Sequence, residues 1–187
     1  MRWWIFVPAA LACVALDAAF MSVLSIGGHW PCLTAVLMAW VALYASRDAA
    51  LAGALLVGLY ADAQAPNVFG HESIVVLGPH MLAWVLAVWA VVEVREILYR
   101  RSALTVAVAA CALVVGQSLV YLAVCGVRVV YADPAPLWGT GSGGWAFGHD
   151  VLDALYTLVL AWPIAWLLPI TMEWWGFAHG GARFGRR

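Results

Sequence analysis

Apolar residues in this chain fall into six runs, at residues 3–24, 30–45, 49–61, 73–92, 103–124 and 151–170. Short polar or turn-forming stretches break them. Gly27-Gly28-His29 follows the first, Ser46-Arg47-Asp48 the second, and Gln64-Ala65-Pro66-Asn67 the third. Uncharged runs near 20 residues read as membrane-spanning helices, and the second and third are short for that role. Pro31 suits the start of the second helix, where its missing N–H would be an orphan anyway. The fourth run continues into residues 93–101, where charged and apolar residues alternate at helical spacing. This predicts a helix extending to the headgroup level. Residues 131–149 form the longest break, with Pro134, Pro136, Trp138, Trp145 and Phe147. Its aromatics predict a loop lying on the interface or packed over the bundle rather than free disorder.

Charge orients these runs. There is no lysine, and of the nine basic residues Arg2, Arg47, Arg95, Arg100, Arg101, Arg183, Arg186 and Arg187 all fall on one side of a six-span arrangement. Only Arg128 falls opposite. Basic residues near short loops stay in the cytoplasm, so the pattern predicts a single all-α domain over residues 1–187. It would be a polytopic bundle of about six transmembrane helices with both termini cytoplasmic. Composition agrees: 66% of residues are hydrophobic, 10% are charged, and mean hydropathy is +0.94. A net charge of −1 and the lack of a long basic run exclude a nucleic-acid partner. The arginines suit anionic lipid headgroups. Arg2 before an apolar run resembles a signal peptide, but the run continues past Cys13 and more spans follow, so a retained first helix is expected. Cys13, Cys32, Cys111 and Cys125 show no metal-ligand spacing. A Cys32–Cys125 disulfide on the outer side is left open.

Polar groups within apolar runs are costly and mark candidate sites. Here they are Asp17, Asp62, His80, Gln117 and Asp153, all toward the outer half of the predicted bundle. They line an outward pocket if they converge; otherwise each ties one helix to another. Asp17 needs a partner, and His80 is the one deep basic candidate. Pro79 beside it would loosen the fourth span. His149, Asp150 and Asp153 hint at a metal, but the ligand set is thin, and Asp150 reads better as the N-cap of the sixth span. No metal, cofactor or catalytic constellation is expected, since GxSxG, HExxH and phosphate-cradling motifs are lacking. Ala50, Ala54, Gly58 and Asp62 recur every fourth residue, so one face of the third span carries small residues for a helix–helix contact.

Several of these features coincide in residues 31–94. Trp30-Pro31 opens the second span, a short charged turn follows it, and the third span reads Gly53-Ala54-Leu55-Leu56-Val57-Gly58-Leu59-Tyr60-Ala61-Asp62. Gly70 stands eight residues after that aspartate. The region resembles the rod shape-determining protein MreD family, whose pattern is G-x-x-x-G-[LI]-x-x-D, although Gly53 and Gly58 stand one residue wider. The resemblance implies a multi-pass protein of the bacterial inner membrane. It would be a non-enzymatic scaffold subunit of the cell-elongation machinery that makes peptidoglycan. Its implied partners are an MreC-like protein, an MreB-like protein, a RodA-type glycosyltransferase and a class B penicillin-binding protein. Ala54, Gly58, Asp62 and Gly70 would then mark helix packing or partner contact.

A second function competes. Six spans and this length also suit the small-molecule substrate-binding subunit of an energy-coupling-factor-type transporter. That reading requires Asp17, His80, Gln117 and Asp153 to line one cavity.

Overall fold

The computed structural model describes residues 1–19, 21–64, 67–69, 72–74, 77–97, 102–131 and 143–177. Its helices are α1 (Trp3–Ala19), α2 (Leu33–Tyr44), α3 (Arg47–Gln64), α4 (Pro79–Val94), α5 (Ala103–Tyr131), α6 (Gly143–Leu167) and the short α7 (Met172–Trp175). Two three-residue strands, β1 (Asn67–Phe69) and β2 (Glu72–Ile74), pair antiparallel between α3 and α4. Among the described residues the remaining regular structure is helical. Ala103–Val124 and Phe147–Trp175 are each long and apolar enough to cross a membrane; α1, α2 and α4 are apolar but shorter.

The centre of the molecule is α2. Every residue from Thr34 to Leu43 is buried, and Trp40 and Met38 are wholly enclosed. A helix apolar on all sides must be surrounded, and α1, α3, α4, α5 and α6 all pack on it. At 12 residues it is about 18 Å long. The outer helices show the reverse pattern, with large apolar side chains pointing away from the core. Examples are Leu55 and Leu59 on α3, Leu86 and Trp89 on α4, and Trp162 and Trp166 on α6.

Three boundaries differ from the sequence expectation. The fourth helix starts at Pro79 rather than near 73, because the strand β2 takes residues 72–74. Pro79 therefore opens α4 and does not loosen its interior. The sixth helix starts at Gly143 rather than 151, so Asp150 lies two turns inside it and is not its N-cap. With α5 reaching Tyr131 and α6 starting at Gly143, both ends of the loop expected over 131–149 are helical, and residues 132–142 remain between them. Those residues, Gly70, residues 98–101 and the tail after residue 177 lie outside the described residues.

The chain returns on itself at the end bearing Arg2. The Arg2 amide donates to the Trp175 carbonyl at 2.9 Å. Gly176 then turns with φ +58° against the Arg2 side chain, a left-handed conformation that favours glycine. This turn brings Phe177 onto Trp40 and Tyr44, with ring centroids 6.3 Å from each.

Candidate functional site

Three carboxylates organise the end of the bundle opposite Arg2, and each comes from one element to hold another. Asp17, near the end of α1, reaches the start of α2. Its Oδ1 accepts from the Leu33 amide at 2.7 Å and its Oδ2 from the Thr34 amide at 2.8 Å. Cys32 is the N-cap, and its Sγ accepts from the Ala35 amide at 3.4 Å while lying 3.6 Å from Asp17 Oδ2. The Cys32 amide donates to Thr157 Oγ1 on α6 at 3.0 Å. A helix start leaves its first amides without intrahelical acceptors. Here Cys32 to Ala35 all have one, and the negative charge complements the helix dipole.

Asp62 does the same for α4. Its Oδ2 accepts from the Gly78 amide at 2.7 Å and the Met81 amide at 3.2 Å; its Oδ1 accepts from the His80 amide at 2.9 Å. The His80 ring Nδ1 lies 2.9 Å from the same Oδ1, and that ring packs on Tyr121 of α5 at 4.4 Å. Pro79 has no amide to satisfy. Asp62 is 1% exposed. One turn earlier on the same face, Gly58 permits the approach: a Cβ there would stand 2.5 Å from Met81 Cα and 2.9 Å from the His80 carbonyl oxygen. Ala50 and Ala54 continue the buried face. At Gly58 and Asp62 the small-residue stripe is thus a contact within this chain, between α3 and α4.

Asp153 joins α6 to the turn before α2. Its Oδ1 lies 2.8 Å from His29 Nδ1 and its Oδ2 3.5 Å from His149 Nδ1, one helical turn back. Around them, Thr157 Oγ1 donates to the Asp153 carbonyl and Tyr156 to the Leu24 carbonyl, both at 2.8 Å.

At the opposite end, Arg95 closes α2 from its other terminus. Its Nη1 donates to the carbonyls of Ala42 at 3.1 Å and Ala45 at 2.7 Å. Arg47 and Glu93 form an ion pair nearby at 2.9 Å, with both side chains about half exposed.

The five polar candidates therefore do not form one cluster. Asp17 and His80 do not pair: Asp17 holds α2, and His80 belongs to Asp62. Gln117 is half-buried on α5. Cys32 is a free thiol turned toward the α2 terminus, so the disulfide left open is not formed; the Cys125 side chain lies outside those described. One cleft, about 270 Å³, is apolar, opens between α1 and α3, and is lined by Phe6, Ala10, Val14, Leu56 and Tyr60 among others. Another, about 150 Å³, lies beside Trp40, Tyr44 and Trp166. Neither is lined by Asp17, Asp62, His80, Gln117 or Asp153. Several participants have no mark in the sequence pattern, among them His29, Tyr156, Thr157 and Arg95. His29 sits in a glycine turn far along the chain from its partner, and Arg95 reads as a topology marker within the charged stretch 93–101.

Comparison of the chain with known protein families, with curated proteins and with solved structures finds no match.

Proposed function

We propose that this chain is a six-span protein of the bacterial inner membrane, with both termini cytoplasmic, that serves as a non-enzymatic scaffold subunit of the cell-wall elongation complex, as MreD does. The observation that carries the reading is the joint use of Gly58 and Asp62. These two residues of the MreD-like pattern act as one device, Gly58 letting α4 approach and Asp62 holding its first turn. A motif with that job specifies an architecture rather than a reaction.

Other features support the same reading. Soluble monomers rarely expose large contiguous apolar areas, whereas the outward leucines and tryptophans of α3, α4 and α6 suit lipid. Arg2, Arg47 and Arg95 gather at one end of the bundle, which suits a cytoplasmic face. In this orientation α2 is too short to cross about 30 Å of hydrocarbon. Its first amides would then lie at a depth where water cannot satisfy them, which accounts for the Asp17 carboxylate there. The apolar cleft between α1 and α3 suits a transmembrane helix of a partner, for which an MreC-like single-span protein is the first candidate. MreB-like, RodA-type and class B penicillin-binding partners would follow through the complex. The small-molecule capture reading loses its motivation, because three of its four polar residues are engaged in separate groups.

Co-purification tests the proposal. Co-expressed with the MreC-like protein of the same cell and extracted in mild detergent, the tagged chain is expected to retain it. Widening the obstruction in the cleft with Ala10→Trp should reduce retention. Failure of two folded proteins to associate overturns the assignment.

A further inference from the structure

The geometry points to a binding site for one zinc-class divalent cation at the end of the bundle opposite Arg2, held by a ring nitrogen of His29, a ring nitrogen of His149 and the Asp153 carboxylate. One ligand atom from each of these residues lies within 4.8 Å of the other two. The two imidazoles face each other with centroids 4.1 Å apart and a 40° tilt. Around a tetrahedral zinc with bonds of 2.0–2.1 Å, neighbouring ligand atoms stand about 3.3 Å apart. Closing onto an ion therefore asks for side-chain movements of about 1 Å, within the reach of small χ changes.

The ligands are held by structure that does not depend on an ion. Ile26 and His29 exchange both backbone hydrogen bonds, at 2.9 and 3.1 Å, across Gly27 and Gly28. Those glycines have φ of +63° and +88°, the signs a tight two-residue reversal needs. His149 and Asp153 sit at i and i+4, which places them on one face of α6. Hydrogen bonds from Tyr156 to Leu24 and from Cys32 to Thr157 fix the turn against α6 on either side of His29. Trp30 packs edge-on against the His149 ring at 6.1 Å. Metal sites gain affinity from such prior ordering of their ligands.

Chemistry selects the ion. Two imidazoles favour zinc and its neighbours among transition metals over magnesium and calcium, which prefer all-oxygen sets. Three protein ligands leave a fourth position for water. The side chains are 22%, 27% and 14% exposed for His29, His149 and Asp153, so an ion can enter. Bound there, it would tie the turn before α2 to α6 more firmly than the hydrogen bonds do.

The test uses the full chain in detergent, free of any histidine tag and stripped with a chelator. Titrated with zinc chloride in a calorimeter, it should bind one equivalent. Titrated with cobalt chloride, it should develop visible d–d bands without a sulfur charge-transfer band, as nitrogen and oxygen ligands require. Zinc should raise the melting temperature, while magnesium and calcium at the same concentration should not. His29→Asn and His149→Gln, each confirmed folded by circular dichroism, should each weaken zinc more than about 100-fold, since even outer-shell changes cost 10–100-fold. If the parent protein binds neither metal, or the folded variants bind as the parent does, the site does not exist. Equal binding of magnesium would overturn the choice of ion class.

Discussion

Asp17 and Arg95 stand at opposite ends of α2, and neither belongs to it. The carboxylate takes the amides of Leu33 and Thr34, and the guanidinium gives to the carbonyls of Ala42 and Ala45. Each charge has the sign that the helix dipole favours at its end. The most deeply enclosed helix of the protein is thus closed at both termini by side chains borrowed from α1 and from the turn after α4.

Asp17→Asn is expected to behave as a severe change despite its similar shape. The carboxamide keeps one acceptor oxygen and turns an NH₂ donor toward an amide that also donates. Loss of a charge-assisted bond costs about 1.5–3 kcal/mol. Denaturation in graded sodium dodecyl sulfate, followed by circular dichroism, should show a loss of this size or larger. An Asn variant as stable as the parent would remove the capping role.

Arg95 and Arg47 should separate in the same assay. Arg95→Gln gives up two bonds to the carbonyl end of a buried helix and should cost about 1–3 kcal/mol. Arg47→Gln breaks an exposed pair with Glu93 and should cost under about 1 kcal/mol. Equal losses would mean that Arg95 acts only as a surface charge.

Glycine substitutions offer a sharper contrast. Gly58→Ala places a methyl 2.5 Å from the Met81 Cα, and backbone cannot yield as a side-chain tip can. Overpacking of this kind costs about 1–3 kcal/mol. Gly126→Ala meets nothing within 4 Å and should be neutral or stabilise α5 by up to about 1 kcal/mol. Thermal melts of both variants check this, and the order reverses if α3 and α4 do not approach as described.

Asp62 and His80 should be energetically coupled. A double-mutant cycle with Asp62→Ala and His80→Ala is expected to give an interaction energy of about 0.5–3 kcal/mol, because the ring and three amides share one carboxylate. A cycle pairing Asp17→Ala with His80→Ala should be additive to within about 0.5 kcal/mol.

Much of this was readable from residue order, and the failures share a cause. The α3 stripe was legible because Ala50, Ala54, Gly58 and Asp62 repeat at the helical period. What Asp62 touches was not, because its acceptor role depends on where α4 begins, and hydropathy carries the fourth run back to residue 73 through a strand. Asp17 reads as needing a partner, and the groups it meets are the backbone amides of Leu33 and Thr34 rather than a basic side chain. Such amides have no residue type and leave no mark in a sequence. The glycines at 143, 144 and 148 read as loop from their weak helical preference, yet they lie in α6. That shift carries Asp150 inside the helix, and the contact of His29 with Asp153 joins positions 124 residues apart.

The bond from the Arg2 amide to the Trp175 carbonyl also dictates an order of events. Arg2 leaves the ribosome long before Trp175 is translated, so every nascent chain passes through a stage in which its leading helix lacks this latch. Assembly can finish only after synthesis has moved past residue 175, and until then the aromatic pocket around Trp40 stays uncapped.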